Sequence, residues 1–214
     1  MNQTNEHFID NLLGDLKPVR VYGGAARYWG LYVVVSLLTV VIAAAWYGVR
    51  QPVGNFLGDP WFYGEMALVI LGVAAAGYTS IEMAAPGRVT RGMYRSNLLI
   101  VSSIFFLLLT RIGWILLSGH EAHLEQENGL ACVFGTVLFA IPPFLFLTVV
   151  MKLGYVVERK AASLMLLLSS LLLATIAVRF CCVTSAPLHL LVWHYLPLAV
   201  LVPAGTFCAS KLFK

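Results

Sequence analysis

The chemistry available to this sequence resides in three cysteines and their histidine neighbours. Cys181-Cys182-Val-Thr-Ser-Ala-Pro187-Leu-His189-Leu-Leu-Val-Trp193-His194-Tyr-Leu-Pro197 sets two adjacent thiols, two imidazoles and two prolines where an apolar stretch gives way to a polar one. Cys132 opens another apolar stretch, preceded by His120 and His123 among Glu121, Glu125 and Glu127. Thiols in such a setting can be oxidised to a disulfide or can hold a soft metal ion. Cys208, near the end of the last apolar stretch, reads as a small packing residue.

Backbone geometry narrows the disulfide options. Adjacent Cα atoms sit ~3.8 Å apart across a trans peptide, below the ~4.4–6.8 Å that disulfides span, so Cys181 and Cys182 are poor partners for each other. A bridge from Cys132 to one of the pair is feasible if their helices are neighbours. Cys132 falls at a helix N-terminus, whose positive end favours thiolate, but the nearby glutamates oppose it. Cys181 and Cys182 fall at a helix C-terminus, which disfavours thiolate, while Arg179 acts in the other direction. The bland alternative is that these cysteines only pack or form an inert staple. For metal, His120, His123, Cys132, Cys181, Cys182 and His189 are ligand types suited to zinc, copper or cadmium, although no Cys-x-x-Cys spacing occurs. His194 falls inside an apolar span, where a single histidine more often bonds another helix than binds a ligand.

The elements that position these residues are membrane helices. The chain has 214 residues, 60% hydrophobic and only 11% charged. Soluble domains carry about a quarter charged residues, so the composition is that of an integral membrane protein. Six apolar runs are long enough to cross a bilayer: Tyr28–Val49, Trp61–Ala84, Asn97–Leu117, Leu130–Met151, Ala161–Ala177 and Leu190–Leu212. The even periodicity of barrel strands is absent. The polar, acidic first 24 residues lack the basic start and apolar core of a cleavable signal. Lys17, Arg20, Arg27, Arg88, Arg91, Arg95, Lys152, Arg159, Lys160, Lys211 and Lys214 fall on one side of a six-span topology, and only Arg50 and Arg179 on the other. The excess of basic residues on the cytoplasmic side then puts both termini in the cytoplasm. Cys132, Cys181, Cys182, His120, His123 and His189 all face outward, which in a bacterial cytoplasmic membrane means an oxidising periplasm. The expected fold is an all-α, six-helix transmembrane bundle over residues 25–214, preceded by a cytoplasmic segment over residues 1–24.

That segment has its own pattern. Thr4 or Asn5 can cap a helix, Phe8, Ile9, Leu12, Leu13 and Leu16 share one face, and Pro18 ends it. About 12 residues are too few for a stable isolated helix, so it needs a surface to lie on. With Glu6, Asp10 and Asp15 and no basic residue before Lys17, it suits a groove on a basic protein better than an anionic leaflet. A nucleic-acid-binding regulator is such a partner; the chain itself is not expected to bind nucleic acid. Within the membrane, Glu65 and Arg111 lie near the outer face on consecutive spans and are expected to pair, since an unpaired charge at the helix centre costs at least ~2.5–3.5 kcal/mol. Glu82 can reach Arg88. Pro142-Pro143, Pro197 and Pro203 favour kinks in the fourth and sixth spans.

No nucleotide loop, hydrolase elbow or zinc-protease motif is present, and the chain is expected not to be an enzyme and to need no cofactor, a regulatory metal ion aside. A membrane thiol–disulfide oxidoreductase would want a Cys-x-x-Cys or a second redox pair, which is missing. A small metal transporter would want more intramembrane charge or a repeat between the halves.

Phe8-Ile-Asp-Asn-Leu-Leu-Gly-Asp15-Leu16-Lys17-Pro18-Val19, Ala85-Pro86-Gly87-Arg88, Gly129-Leu-Ala-Cys132 and Cys182-Val-Thr-Ser-Ala-Pro187-Leu-His189-Leu-Leu-Val-Trp193-His194-Tyr-Leu-Pro197 together resemble the NrsF-type family (negative regulator of sigma-F). The resemblance covers essentially the whole chain and departs from the family in the doubled cysteine, of which Cys182 has the matching spacing. It implies a six-span anti-sigma factor of the bacterial inner membrane with no enzymatic step. Such a protein holds an extracytoplasmic-function sigma factor through its cytoplasmic segments, here Phe8, Ile9, Leu12, Leu13, Asp15 and Leu16. Outer cysteines, here Cys132 and Cys182 with Cys181 and His189 beside them, answer oxidants or heavy metals, after which the sigma factor is released.

Overall fold

Long runs of Leu, Val, Ile, Phe and Ala cannot leave backbone N–H and C=O groups unpaired in hydrocarbon, so they close those bonds internally as helices. The computed structural model describes residues 24–49, 58–117, 129–182 and 184–213. They form six helices: α1 Ala25–Tyr47, α2 Pro60–Glu82, α3 Arg91–Leu117, α4 Leu130–Leu153, α5 Arg159–Cys181 and α6 Pro187–Leu212. All six are long and apolar enough to cross a bilayer, and the protein is a multi-pass membrane protein. There is no strand among the described residues. The Phe8–Leu16 segment, His120 and His123 lie outside them.

Two boundaries differ from the sequence expectation, with consequences for the site. Helix α5 runs on past Ala177 to Cys181, so Arg179 is a helical, fully buried residue and not an outer-loop charge. Helix α6 begins at Pro187, whose fixed φ and missing N–H suit a first helical turn, so His189 is helical too.

Helix α5 is the axis of the bundle. It packs against α1, α2, α4 and α6, while α3 leans on α2 and on the first turn of α6. Its apolar residues cover its whole circumference, which is how a helix enclosed on all sides reads. Buried Ser163, Ser170 and Thr175 return their hydroxyls to carbonyls four residues back. Ser169 instead reaches across, donating to the Val73 carbonyl of α2 at 3.0 Å and meeting the Tyr32 hydroxyl of α1 at 2.6 Å. Gly77 makes this three-helix junction possible, since a Cβ there would collide with the Tyr32 ring and Ser169. Asn97 of α3 donates to Thr79 of α2 at 3.0 Å. Between helices that share an apolar solvent, such polar contacts and small residues give the specificity that the hydrophobic effect cannot.

Helix α6 is irregular by design of its sequence. Pro197 has no N–H to donate, and its ring would clash with the carbonyl four residues earlier. The chain responds with a π-helical turn over Leu190–Tyr195, closed by the Leu196 N–H on the Leu191 carbonyl, before α-helix resumes at Leu196–Ala209.

Candidate functional site

One end of the bundle gathers the start of α4, the end of α5 and the first turns of α6. Cys132 lies in the first turn of α4, and Cys182 caps α5. Their sulfurs stand 3.9 Å apart, with the Cys132 thiol directed at Cys182. His189 Nε2 lies 3.5 Å from Cys182 Sγ and 3.8 Å from Cys132 Sγ. His194 completes the group: one ligand atom from each of Cys132, Cys182, His189 and His194 falls within 4.8 Å of every other. Cys182, His189 and His194 are buried and Cys132 is half-buried.

The bridging partnership expected from sequence, Cys132 with one member of the pair, therefore falls to Cys182. Cys181 points elsewhere, its thiol 3.6 Å from the Ala43 carbonyl of α1 and 3.4 Å from the Ala177 carbonyl. Its backbone neighbourhood with Cys182 does not bring it into the cluster. Cys182 stands one residue beyond the span, and the thiol donated by Cys132 holds its pKa well below the ordinary thiol value, against the opposite effect of burial. It is the member of the pair that stands beside both Cys132 and His189, and the thiolate is the form that attacks oxidants and metals.

His194 is the residue that sequence reasoning assigned to helix packing. In a regular α-helix, residues five apart stand about 140° apart around the axis, so His189 and His194 would diverge. The π turn closes i to i+5 and brings both imidazoles to one side, with ring centroids 5.7 Å apart. The readable signal was a histidine pair at i, i+5 followed by a proline three residues on. Trp193, between them, lies flat against Gly129, where any Cβ would overlap the indole. The Gly129-Leu-Ala-Cys132 and Trp193-His194 segments thus meet in space, and the close approach explains why glycine starts α4.

Beneath the thiols lies a buried ionic network. Arg179 Nε and Nη2 each reach Glu65 Oε2 at 3.4 Å, and Arg179 Nη1 donates to the Thr184 carbonyl at 3.4 Å. The Tyr195 hydroxyl donates to Glu65 Oε1 at 2.7 Å, and the Phe62 ring faces the guanidinium at 5.3 Å. The expected Glu65–Arg111 pair is therefore corrected. Glu65 sits on the face of α2 that packs on α5, whereas α3 lies on another face. Arg111 takes Asp59 at 2.9 Å, the residue whose other oxygen caps α2 at Trp61 N–H. The expected Glu82–Arg88 contact forms at the opposite end, at 3.5 Å. Arg179 does two things for the site: it neutralises Glu65 and fixes the Thr184 carbonyl, which also accepts from the Cys182 thiol at 3.6 Å. The Thr184 hydroxyl accepts from Ala186 N–H, so the turn carrying Cys182 toward α6 is tied on both sides.

The model of the family described as negative regulator of sigma F matches residues 12–214. No curated protein and no solved structure matches the chain. With nearly the whole length matched, the chain belongs to the family of negative regulators of sigma F, and a sigma factor is its partner.

Proposed function

We propose that this member of the family is an anti-sigma factor of the bacterial cytoplasmic membrane that sequesters an extracytoplasmic-function sigma factor and releases it when Cys132 and Cys182 meet a periplasmic oxidant or heavy metal. The observation that carries the sensing half is the 3.9 Å approach of two thiols fifty residues apart in sequence, at one end of the bundle. The charge distribution supports the orientation, with both termini and the basic connections in the cytoplasm. The partner-binding half rests on the acidic, one-sided helix pattern of Phe8, Ile9, Leu12, Leu13, Asp15 and Leu16. No chemical turnover is required of the protein.

Oxidation converts the two thiols into one disulfide, with two electrons passing to the oxidant and two protons released. The sulfurs must close from 3.9 Å to about 2.05 Å, so the start of α4 and the end of α5 are drawn together. Helix α5 touches four of the other five helices, so a shift of its end is felt throughout the bundle. Pro142 and Pro143 in α4 and Pro203 in α6 weaken the backbone ladder where those helices would bend. A signal changes the sigma-binding surface only insofar as it favours one packing over the other. The thiol-oxidoreductase reading lacks support from a second redox pair: Cys181 faces backbone carbonyls, and Cys208 lies in the last turns of α6 at the far end.

The test is co-purification from detergent-solubilised membranes. Wild-type protein is expected to bring down a small sigma factor, which is lost on deleting residues 1–20 and released by oxidant from wild type but not from Cys132→Ser or Cys182→Ser. Absence of any sigma factor on the wild-type protein refutes the reading, and an intact complex after the deletion moves the binding surface to the cytoplasmic connections.

A further inference from the structure

Two of the four side chains at the thiol cluster are imidazoles, which can favour a thiolate beside them but are not required to close a disulfide. His194 is fully buried and, among the described residues, neither of its ring nitrogens has a hydrogen-bond partner; His189 Nδ1 has none either. An orphaned buried polar atom costs about 1–3 kcal/mol, and an ion held through His189 Nε2 and one nitrogen of His194 gives His194 the partner it lacks. The spacing of the donor atoms fits such an ion. With bonds of about 2.3 Å to sulfur and about 2.05 Å to nitrogen, tetrahedral angles place sulfur–sulfur edges at about 3.8 Å and sulfur–nitrogen edges at about 3.6 Å. The three measured edges are 3.9 Å between the sulfurs, and 3.8 and 3.5 Å from them to His189 Nε2. Drawing the widest pair, within 4.8 Å, onto an ion requires side-chain movement on the order of 1 Å.

We infer that Cys132, Cys182, His189 and His194 form a closed four-coordinate site for a divalent d10 cation, zinc(II) or cadmium(II). The four residues supply two soft sulfurs and two borderline nitrogens, the donor set for such ions, and leave no open position, as in structural and regulatory sites. Charge selects the divalent state. Two thiolates and one dication sum to zero, which a buried site tolerates, whereas a monovalent ion leaves a net negative charge that Arg179 cannot answer because Glu65 already holds it. The ion joins α4, α5 and α6 at one point, and binding releases both thiol protons. The π turn is then a ligand-positioning device, since only that turn presents His194 beside His189. The ion's role as signal rests on the anti-sigma reading above; the existence of the site does not.

The test uses the full-length protein in detergent, reduced, titrated with cobalt(II) as a spectroscopic stand-in and then with zinc(II) and cadmium(II) as competitors. One cobalt per chain is expected, with the intense visible bands of tetrahedral coordination and thiolate charge transfer, displaced by either competitor. Because loss of even an outer-shell partner weakens metal sites by about 10–100-fold, His194→Asn is expected to weaken binding at least about 100-fold. A pale six-coordinate spectrum, or wild-type affinity in His194→Asn, overturns the site. If that variant does not stay folded, cadmium NMR of the wild type decides: a resonance for two sulfurs and two nitrogens supports the site, and any other donor set overturns it. Sigma-factor retention is read on the same samples. Tetrahedral cobalt on a protein that holds no sigma factor sinks the anti-sigma reading alone; a sigma complex released by oxidant, on a protein with no tetrahedral cobalt, sinks the site alone.

Discussion

Arg179→Met is the most informative single perturbation of this bundle. The guanidinium is fully buried and holds Glu65, itself 2% exposed, through two nitrogens at 3.4 Å. Methionine keeps much of the volume and the apolar stem while removing the charge. Glu65 is then left with only the Tyr195 hydroxyl, at 2.7 Å. Stranding one partner of a buried ion pair costs about 3–5 kcal/mol, and the Thr184 carbonyl loses its donor as well. For a chain of this size each kcal/mol lowers the midpoint by about 2–4 °C, so thermal unfolding in detergent should fall by about 6–20 °C. Glu65→Gln should be similarly harmful, because it strands the guanidinium. The double variant Glu65→Gln/Arg179→Met strands neither and should recover most of the loss, giving a coupling of at least about 2 kcal/mol. Arg111→Gln is the comparison: its pair with Asp59 is 12% and 20% exposed, against 0% and 2% for Arg179 and Glu65, so its loss should cost less than that of the fully enclosed pair. A harmless Arg179→Met, or a Glu65→Gln that couples to Arg111→Gln and not to Arg179→Met, would falsify the assignment of the buried pair.

Mild oxidation followed by peptide mass spectrometry should yield a Cys132–Cys182 linkage and no Cys181–Cys182 linkage; a dominant vicinal product would contradict the cluster geometry, in which Cys181 faces Ala43. Arg179→Met should also reduce the yield of that linkage, because the turn through Thr184 loses its anchor. Gly129→Val has no room beneath Trp193 and should destabilise by about 1–3 kcal/mol while cutting metal uptake, read by unfolding and cobalt titration; unchanged uptake would show that Trp193 does not position His194. Tyr32→Phe removes one interhelical hydrogen bond and should cost about 0.6 kcal/mol and no more than about 1.7 kcal/mol, with the Cys132–Cys182 linkage unaffected.

The sequence by itself determined the class, the six spans and Cys132 as the thiol opposite the adjacent pair; which member of the pair it meets, Cys182, was decided by the packing. Apolar length and charge asymmetry are summed properties, and a bilayer reads them one segment at a time, so no knowledge of neighbours is needed. Cys132 could be matched to the adjacent pair because short connections make consecutive spans neighbours, and the backbone excludes a vicinal bridge. The tertiary structure decided what depends on rotation about a helix axis. Whether Glu65 meets Arg111 or Arg179 is set by which face of α2 turns to α5, and both faces are apolar enough to permit either. Arg179 was hidden for a related reason: a hydropathy boundary stops at a charge, whereas the helix continues when the charge has a buried partner. His194 entered the site only because Pro197 forces a π turn, which re-registers its imidazole with His189 against the ordinary helical period. Composition and period fixed which residues sit at that end of the bundle; the packing of α5 and the turn in α6 fixed which of them touch.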